Sequence, residues 1–187
     1  MAFDSTSGVS RRRGLAWVLA FLAYPAGGVL GAVVAQGAGP AAGAAVAAAI
    51  IGTAQGAVLG MLGRPRVALG WIGGSAVAGA IGWVIAHALV PSVSGPAAAA
   101  VIGGISGLAI GAAQALVMDG RSIVRAGWVP LFGVAWAAGN AVSTAIGVDT
   151  AAWPVFGASG AITAQVILLA GLVAAARRPA APAGLAA

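Results

Sequence analysis

The chain contains no cysteine, no lysine and no glutamate, and only 6% of its 187 residues are charged. Without Cys there is no disulfide framework, thiolate metal site, cysteine nucleophile or thioether anchor for haem. Without Lys a retinal Schiff base is excluded, and no glycine loop runs into Lys-Ser or Lys-Thr to cradle a nucleotide. Three Asp are the whole acidic complement and they form no pair, so paired-carboxylate chemistry lacks its residues. A soluble domain carries about a quarter charged residues, and a soluble globule is excluded with it. What fills the chain instead is apolar: 61% hydrophobic residues and 31 Gly. Nine basic residues against three acidic ones give a net charge of +6. All nine are Arg, and none forms the long basic face that nucleic acid requires. The charge suits a membrane surface.

A spanning helix needs about 20 apolar residues to cross roughly 30 Å of hydrocarbon at 1.5 Å per residue. Six stretches of that kind lie between charged or Pro-containing breaks: Gly14 to Gln36, Ala41 to Gly63, Val67 to Val90, Ala97 to Met118, Ala126 to Val148 and Ala151 to Ala176. Pro40, Pro65, Pro91, Pro96 and Pro154 stand near their ends, where a missing N–H costs least. No strand-like alternation of polar and apolar residues points to a β-barrel. The expected fold is all-α, one six-helix membrane domain over residues 14–178, with disordered tails at 1–13 and 179–187.

Arginine placement sets the orientation, because Lys and Arg are retained on the cytoplasmic side of short loops. Arg11, Arg12 and Arg13 precede the first stretch, Arg64 and Arg66 separate the second and third, Arg121 and Arg125 the fourth and fifth, and Arg177 and Arg178 follow the sixth. All fall on one side, which places both termini in the cytoplasm. The head Ser10-Arg11-Arg12-Arg13-Gly14-Leu15 loosely resembles a twin-arginine export signal, but the apolar run after it is longer than a signal core, and its removal would contradict the arginine pattern. Abundant Ala, Gly and Arg with no Lys suggests a GC-rich bacterial genome, hence the inner membrane.

An internal period is visible. Trp17, Trp71 and Trp128 stand near the starts of the odd stretches, and eleven residues after each comes Gly28, Gly82 or Gly139. The even stretches carry Ala54-Gln55, Ala113-Gln114 and Ala164-Gln165. Each unit reads as a hairpin, about 14–63, 67–118 and 126–176. Because each has two spans, the copies are parallel, and a pseudo-threefold bundle is the simplest arrangement. Small residues recur at every fourth position, as in Gly52, Gly56 and Gly60, Gly70, Gly74, Ala78 and Gly82, or Gly103, Gly107 and Gly111. Such faces let helices approach closely in lipid, where apolar burial no longer drives association. The segments Gly52-Thr53-Ala54-Gln55 and Gly111-Ala112-Ala113-Gln114, with the starts Leu69-Gly70-Trp71 and Ala126-Gly127-Trp128, resemble a loose family of uncharacterised bacterial multi-span membrane proteins built from repeated Gly-x-x-Gln and Gly-Trp hairpins. The resemblance implies a fold and no activity, and Ile162 breaks it in the third hairpin.

A polar side chain at membrane depth is the default functional candidate. Gln55, Gln114 and Gln165 read either as interhelical glue or as a polar ring that binds a small polar ligand, with Asn140 as a further point of the same kind. His87 is the lone His; without companions it makes no metal site, and an interfacial hydrogen bond competes with an axial cofactor ligand as its role. Neither a cofactor nor a metal is expected. Gly104-Ile105-Ser106-Gly107 and Gly157-Ala158-Ser159-Gly160 look like the Gly-x-Ser-Gly signature of rhomboid proteases, yet His87 precedes both serines where that family's His follows. The first expectation is a non-enzymatic structural or accessory membrane subunit, its partners being the lipid bilayer and, through its glycine faces, another membrane protein or a second copy, and not nucleic acid. The alternative is a small-molecule transporter component with a Gln/Asn-lined site, and a remote one is a serine hydrolase. A cavity among the glutamines would separate the first two.

Overall fold

A computed structural model describes residues 8–60, 64–118, 122–150 and 157–177, with backbone alone for 8–13, 122–125 and 175–177. Among these residues the regular elements are all helical. Helix α1 (Gly8–Leu19) passes through a 3-10 turn (Ala20–Leu22) into α2 (Ala23–Ala38), making one rod. Then follow α3 (Pro40–Val58), α4 (Pro65–Leu89), α5 (Pro96–Val117), α6 (Ser122–Ala145) and α7 (Ala158–Arg177). The 3-10 turn has a cause in Pro25, which has no N–H for the Phe21 carbonyl and whose ring crowds it, so the chain tightens just before.

Pro40, Pro65 and Pro96 each open a helix at its first turn, where the absent N–H would have no intrahelical partner anyway. Before two of them stand Gly39 (φ 87°) and Gly95 (φ 98°), in a backbone region that only glycine enters without strain. Gly39 alone links α2 to α3, so the two helices must double back at once.

Among the described residues four helices are long and apolar enough to cross a membrane: Gly14–Ala38, Pro40–Val58, Pro65–Leu89 and Pro96–Val117. The fifth and sixth expected spans are less marked. The fifth becomes α6, which carries Pro130, Asn140, Ser143 and Thr144; α7 has a shorter apolar run, Ala158–Ala174, and 151–156 lie outside the described residues. The expected disordered tail is also corrected in part, because residues 8–13 extend α1; three consecutive Arg are good helix formers. Tail residues 1–7 and 179–187 lie outside the described residues.

Each helix packs on its chain neighbours, and α7 returns to α1, the 3-10 turn and α2, so the rods close into a ring. Glycines make these approaches. A Cβ on Gly107 would stand 2.7 Å from Trp136 Cβ and 2.8 Å from the Phe132 carbonyl oxygen; one on Gly111 would stand 2.8 Å from Phe132 Cβ, and one on Gly103 would strike Asn140. On α4, Gly82 faces the Ser106 backbone of α5 at 2.9 Å, while Gly79 faces the Ala44 carbonyl of α3 at 3.0 Å. Between α2 and α3, Gly27 meets the Ala47 carbonyl at 3.0 Å.

Polarity runs from inside to outside in the reverse of a water-soluble fold. Gln55, Ser75, Gln114, Asn140, Ser143 and Gln165 are buried, whereas Leu69, Val77, Leu89, Leu116, Val134 and Ile146 are exposed. Contiguous apolar surface of this extent is not tolerated in water. With four helices of spanning length, it identifies a membrane protein.

Candidate functional site

Three indoles cluster around Trp128 inside the ring near the arginine-bearing helix ends. Trp17 and Trp71 are fully buried and Trp128 is 2% exposed, unusual for so large a side chain. Trp128 is central: its ring lies 6.4 Å from Trp17, edge-on, and 6.2 Å from Trp71. Each tryptophan begins an odd-numbered stretch within about one and a half turns of an arginine, and all three are buried inside the bundle.

The glutamines complete this layer. Trp128 Nε1 donates to Gln114 Oε1 at 3.1 Å, and Gln114 Nε2 donates to Ser75 Oγ at 3.0 Å and Gln55 Oε1 at 3.3 Å. One carboxamide thus ties α3, α4, α5 and α6 together, using both of its N–H groups. Gly52 makes room for Ser75, since a Cβ there would lie 3.0 Å from the hydroxyl oxygen. Gln165 joins through its backbone: Trp17 Nε1 donates to the Gln165 carbonyl at 3.1 Å, a bond that closes the ring between the first and last helices. Trp71 lies over α3, its Cδ1 3.4 Å from where a Gly56 Cβ would be.

The other two candidates, Asn140 and His87, lie elsewhere. Asn140 is twelve residues beyond Trp128 on α6, about 18 Å along the axis, and its Nδ2 donates to the Trp136 carbonyl of its own helix at 3.0 Å. His87 is near the far end of α4, where Nδ1 donates to the Trp83 carbonyl at 2.9 Å and the imidazole stacks on Trp83 at 4.1 Å. A carbonyl can only accept, so this bond fixes the proton on Nδ1. Thr53 and Thr163 likewise bond the carbonyls of Ala49 and Ser159, one turn back.

A small cavity of about 20 Å³ is lined by Ala44, Ala48, Gly79, Trp83, Ser106, Ile110 and Trp136. It has room for about one water and touches none of the glutamines. Among the described residues no group of three or more His, Cys, Asp or Glu could hold a metal.

Sequence reasoning missed Ser75 as the partner of Gln114, and treated the tryptophans as repeat markers when they are the body of the layer. The spacing held the signal: Ser75 is one turn after Trp71, on the same helix face. No family model, curated protein or solved structure matches this chain.

Proposed function

We propose that this chain is a non-enzymatic integral membrane protein, a structural subunit of a bacterial inner membrane that crosses it six times with both termini in the cytoplasm. The observation that carries the reading is Gln114, whose carboxamide is spent on three other helices and so serves as glue. The glycine faces meet helices of the same chain, which favours a self-contained bundle surrounded by lipid over an accessory subunit docked through those faces.

A pseudo-threefold repeat of parallel hairpins is supported by a cyclic relation. Trp71 of α4 reaches α3, Trp128 of α6 reaches Gln114 of α5, and Trp17 of α1 reaches Gln165 of α7. Each odd unit leans on the even helix before it around the ring. Gly39, Gly95 and Gly147, all with positive φ, mark the three turns at the end away from the arginines. The hairpin family resemblance agrees with this arrangement and adds no activity to it. Against the hydrolase reading, Ser159 Oγ has no hydrogen-bond partner among the described residues, so no base is in place to activate it.

Mass measurement in mild detergent tests the proposal. A single chain with bound lipid is expected. A stoichiometric protein partner would restore the accessory-subunit form. A small solute that the wild type retains and Gln114→Leu loses without a change in stability would establish the transporter reading, and fluorophosphonate labelling of Ser106 or Ser159 would overturn the non-enzymatic one.

A further inference from the structure

Helices α4 and α5 form a groove on the outer surface of the bundle at its arginine end. A Cβ on Gly70 would stand 2.7 Å from Val117 Cγ1, and one on Gly74 would stand 3.5 Å from Ala113 Cβ, so these four residues lie where the two helices meet. The residue before each of them is turned about 100° away from that contact: Leu69 and Gly73 on α4, Leu116 and Ala112 on α5. In antiparallel right-handed helices the two turns fall on the same side of the pair, and all four residues are exposed there.

Leu116 and Leu69 are 83% and 72% exposed, more than any other large hydrophobic side chain described. They stand as walls on either side of the close Gly70–Val117 contact. Deeper along the same side the walls fall away, because Ala112 is small and a Cβ on Gly73 would have no atom within 4 Å. A bed of small residues between two leucines leaves dispersion contacts unmade, and a linear hydrocarbon chain is the shape that makes them.

Arg66 heads this groove. It stands one turn before Gly70, on the same side of α4, and is exposed. Among the described residues the one carboxylate side chain belongs to Asp149, between α6 and α7 at the other end of the bundle, so none of them neutralises Arg66. Along α4 the charge comes first, Leu69 follows about 4.5 Å deeper and Gly73 about 10 Å deeper. A phospholipid has the same order of phosphate, glycerol and acyl chain, and a guanidinium pairs with phosphate through two parallel N–H bonds.

We propose that the α4–α5 groove binds one anionic phospholipid of the leaflet on the arginine side, its phosphate on Arg66 and an acyl chain laid along Leu69, Gly73, Ala112 and Leu116. The inference rests on the reading of a self-contained bundle surrounded by lipid, and names the lipid class that the bundle holds. Charge complementarity selects the occupant. A second copy of this chain, with nine arginines against three acids, brings little negative charge to Arg66, whereas an anionic headgroup supplies it directly.

Native mass spectrometry provides the test, with delipidated protein titrated in mild detergent with phosphatidylglycerol or with phosphatidylcholine of the same acyl chains. The wild type is expected to retain one phosphatidylglycerol with about fivefold preference over phosphatidylcholine, the gain that one arginine near a headgroup gives. Arg66→Gln should lose most of that preference. Gly73→Leu, which fills the bed, should retain about half or less of either lipid. Leucine at Gly127, an exposed and equally open glycine of α6, should change neither quantity. Equal retention of the two lipids by the wild type, a preference unaltered in Arg66→Gln, or equal losses in Gly73→Leu and Gly127→Leu would overturn the site, and the wild-type preference decides even if a variant does not fold. These outcomes leave the single-chain mass and the absence of serine labelling untouched, so the two readings fall separately; a dimer that Gly73→Leu dissociates would put a second copy on this face and overturn both.

Discussion

Gln114 and Gln165 are the same residue type, both buried and both one residue after an alanine, yet their removal should differ. Gln114→Leu breaks bonds to Gln55, Ser75 and Trp128, each worth about 0.6–2 kcal/mol between membrane helices. It should cost about 2–4 kcal/mol of stability in detergent, read by thermal unfolding. Gln165→Leu removes no side-chain bond within the protein and should cost less than about 1 kcal/mol. Equal losses would mean that the layer is held otherwise. The glycines divide in the same manner. Gly107→Ala places a methyl 2.8 Å from a backbone oxygen, overpacking that costs about 1–3 kcal/mol. At Gly56 the nearest atom is 3.4 Å away and belongs to Trp71, so Gly56→Ala should be neutral or stabilising through helix propensity. His87→Ala removes one bond to its own helix and should shift stability less than Gly107→Ala does, measured by the same unfolding.

At the scale of elements, the turns away from the arginines carry the sharpest local constraint. Gly39 and Gly95 take positive φ immediately before a proline that starts the next helix. Proline cannot give up its helix-starting φ, so the reversal of direction falls on the glycine alone. Gly39→Ala and Gly95→Ala should each cost about 1–2 kcal/mol, read as lowered thermal stability, while alanine at the exposed, unobstructed Gly73 of α4 should cost nothing. An equal response at all three positions would show that the turns are set by packing and not by glycine conformation. The starts of α3, α4 and α5 were legible to within a few residues because Pro marks them, whereas the start of α1 was not, since three arginines read equally as a polar tail or as helix. The 3-10 turn follows from Pro25, but only packing against α3 and α7 decides how the rod continues past it.

For the whole molecule, one-sided arginines and a closed ring make a topological prediction. The chain has no Cys, so single cysteines can be introduced without background. Cys at Ser94, exposed in the turn before α5, should react with an impermeant maleimide on intact cells, and Cys at Ser122, beside Arg121, should react only after permeabilisation. The reverse pattern would invert the bundle. Ring closure itself rests on the α1–α7 seam, where Trp17 bonds the Gln165 carbonyl. No local signal in either segment announces that contact, because the two are separated by nearly the whole chain.

Composition by itself determined that this protein lives in lipid, since a chain with so few charges cannot cover a soluble surface, and the arginine spacing set where its helices end. The Trp and Gln positions were visible as rare residues on a repeating frame, and their burial follows from lipid offering an amide no partner. What the tertiary structure alone decided is which of these equivalent residues are served. Hydrogen bonds between helices depend on rotations and depths of a fraction of a turn, and on whether Ser75, Phe21 or Phe132 occupies the adjoining position. Gln55, Gln114 and Gln165 each follow an alanine in the sequence; only their packed neighbours make one of them a junction of four helices and leave another with its side-chain amide without a partner among the described residues.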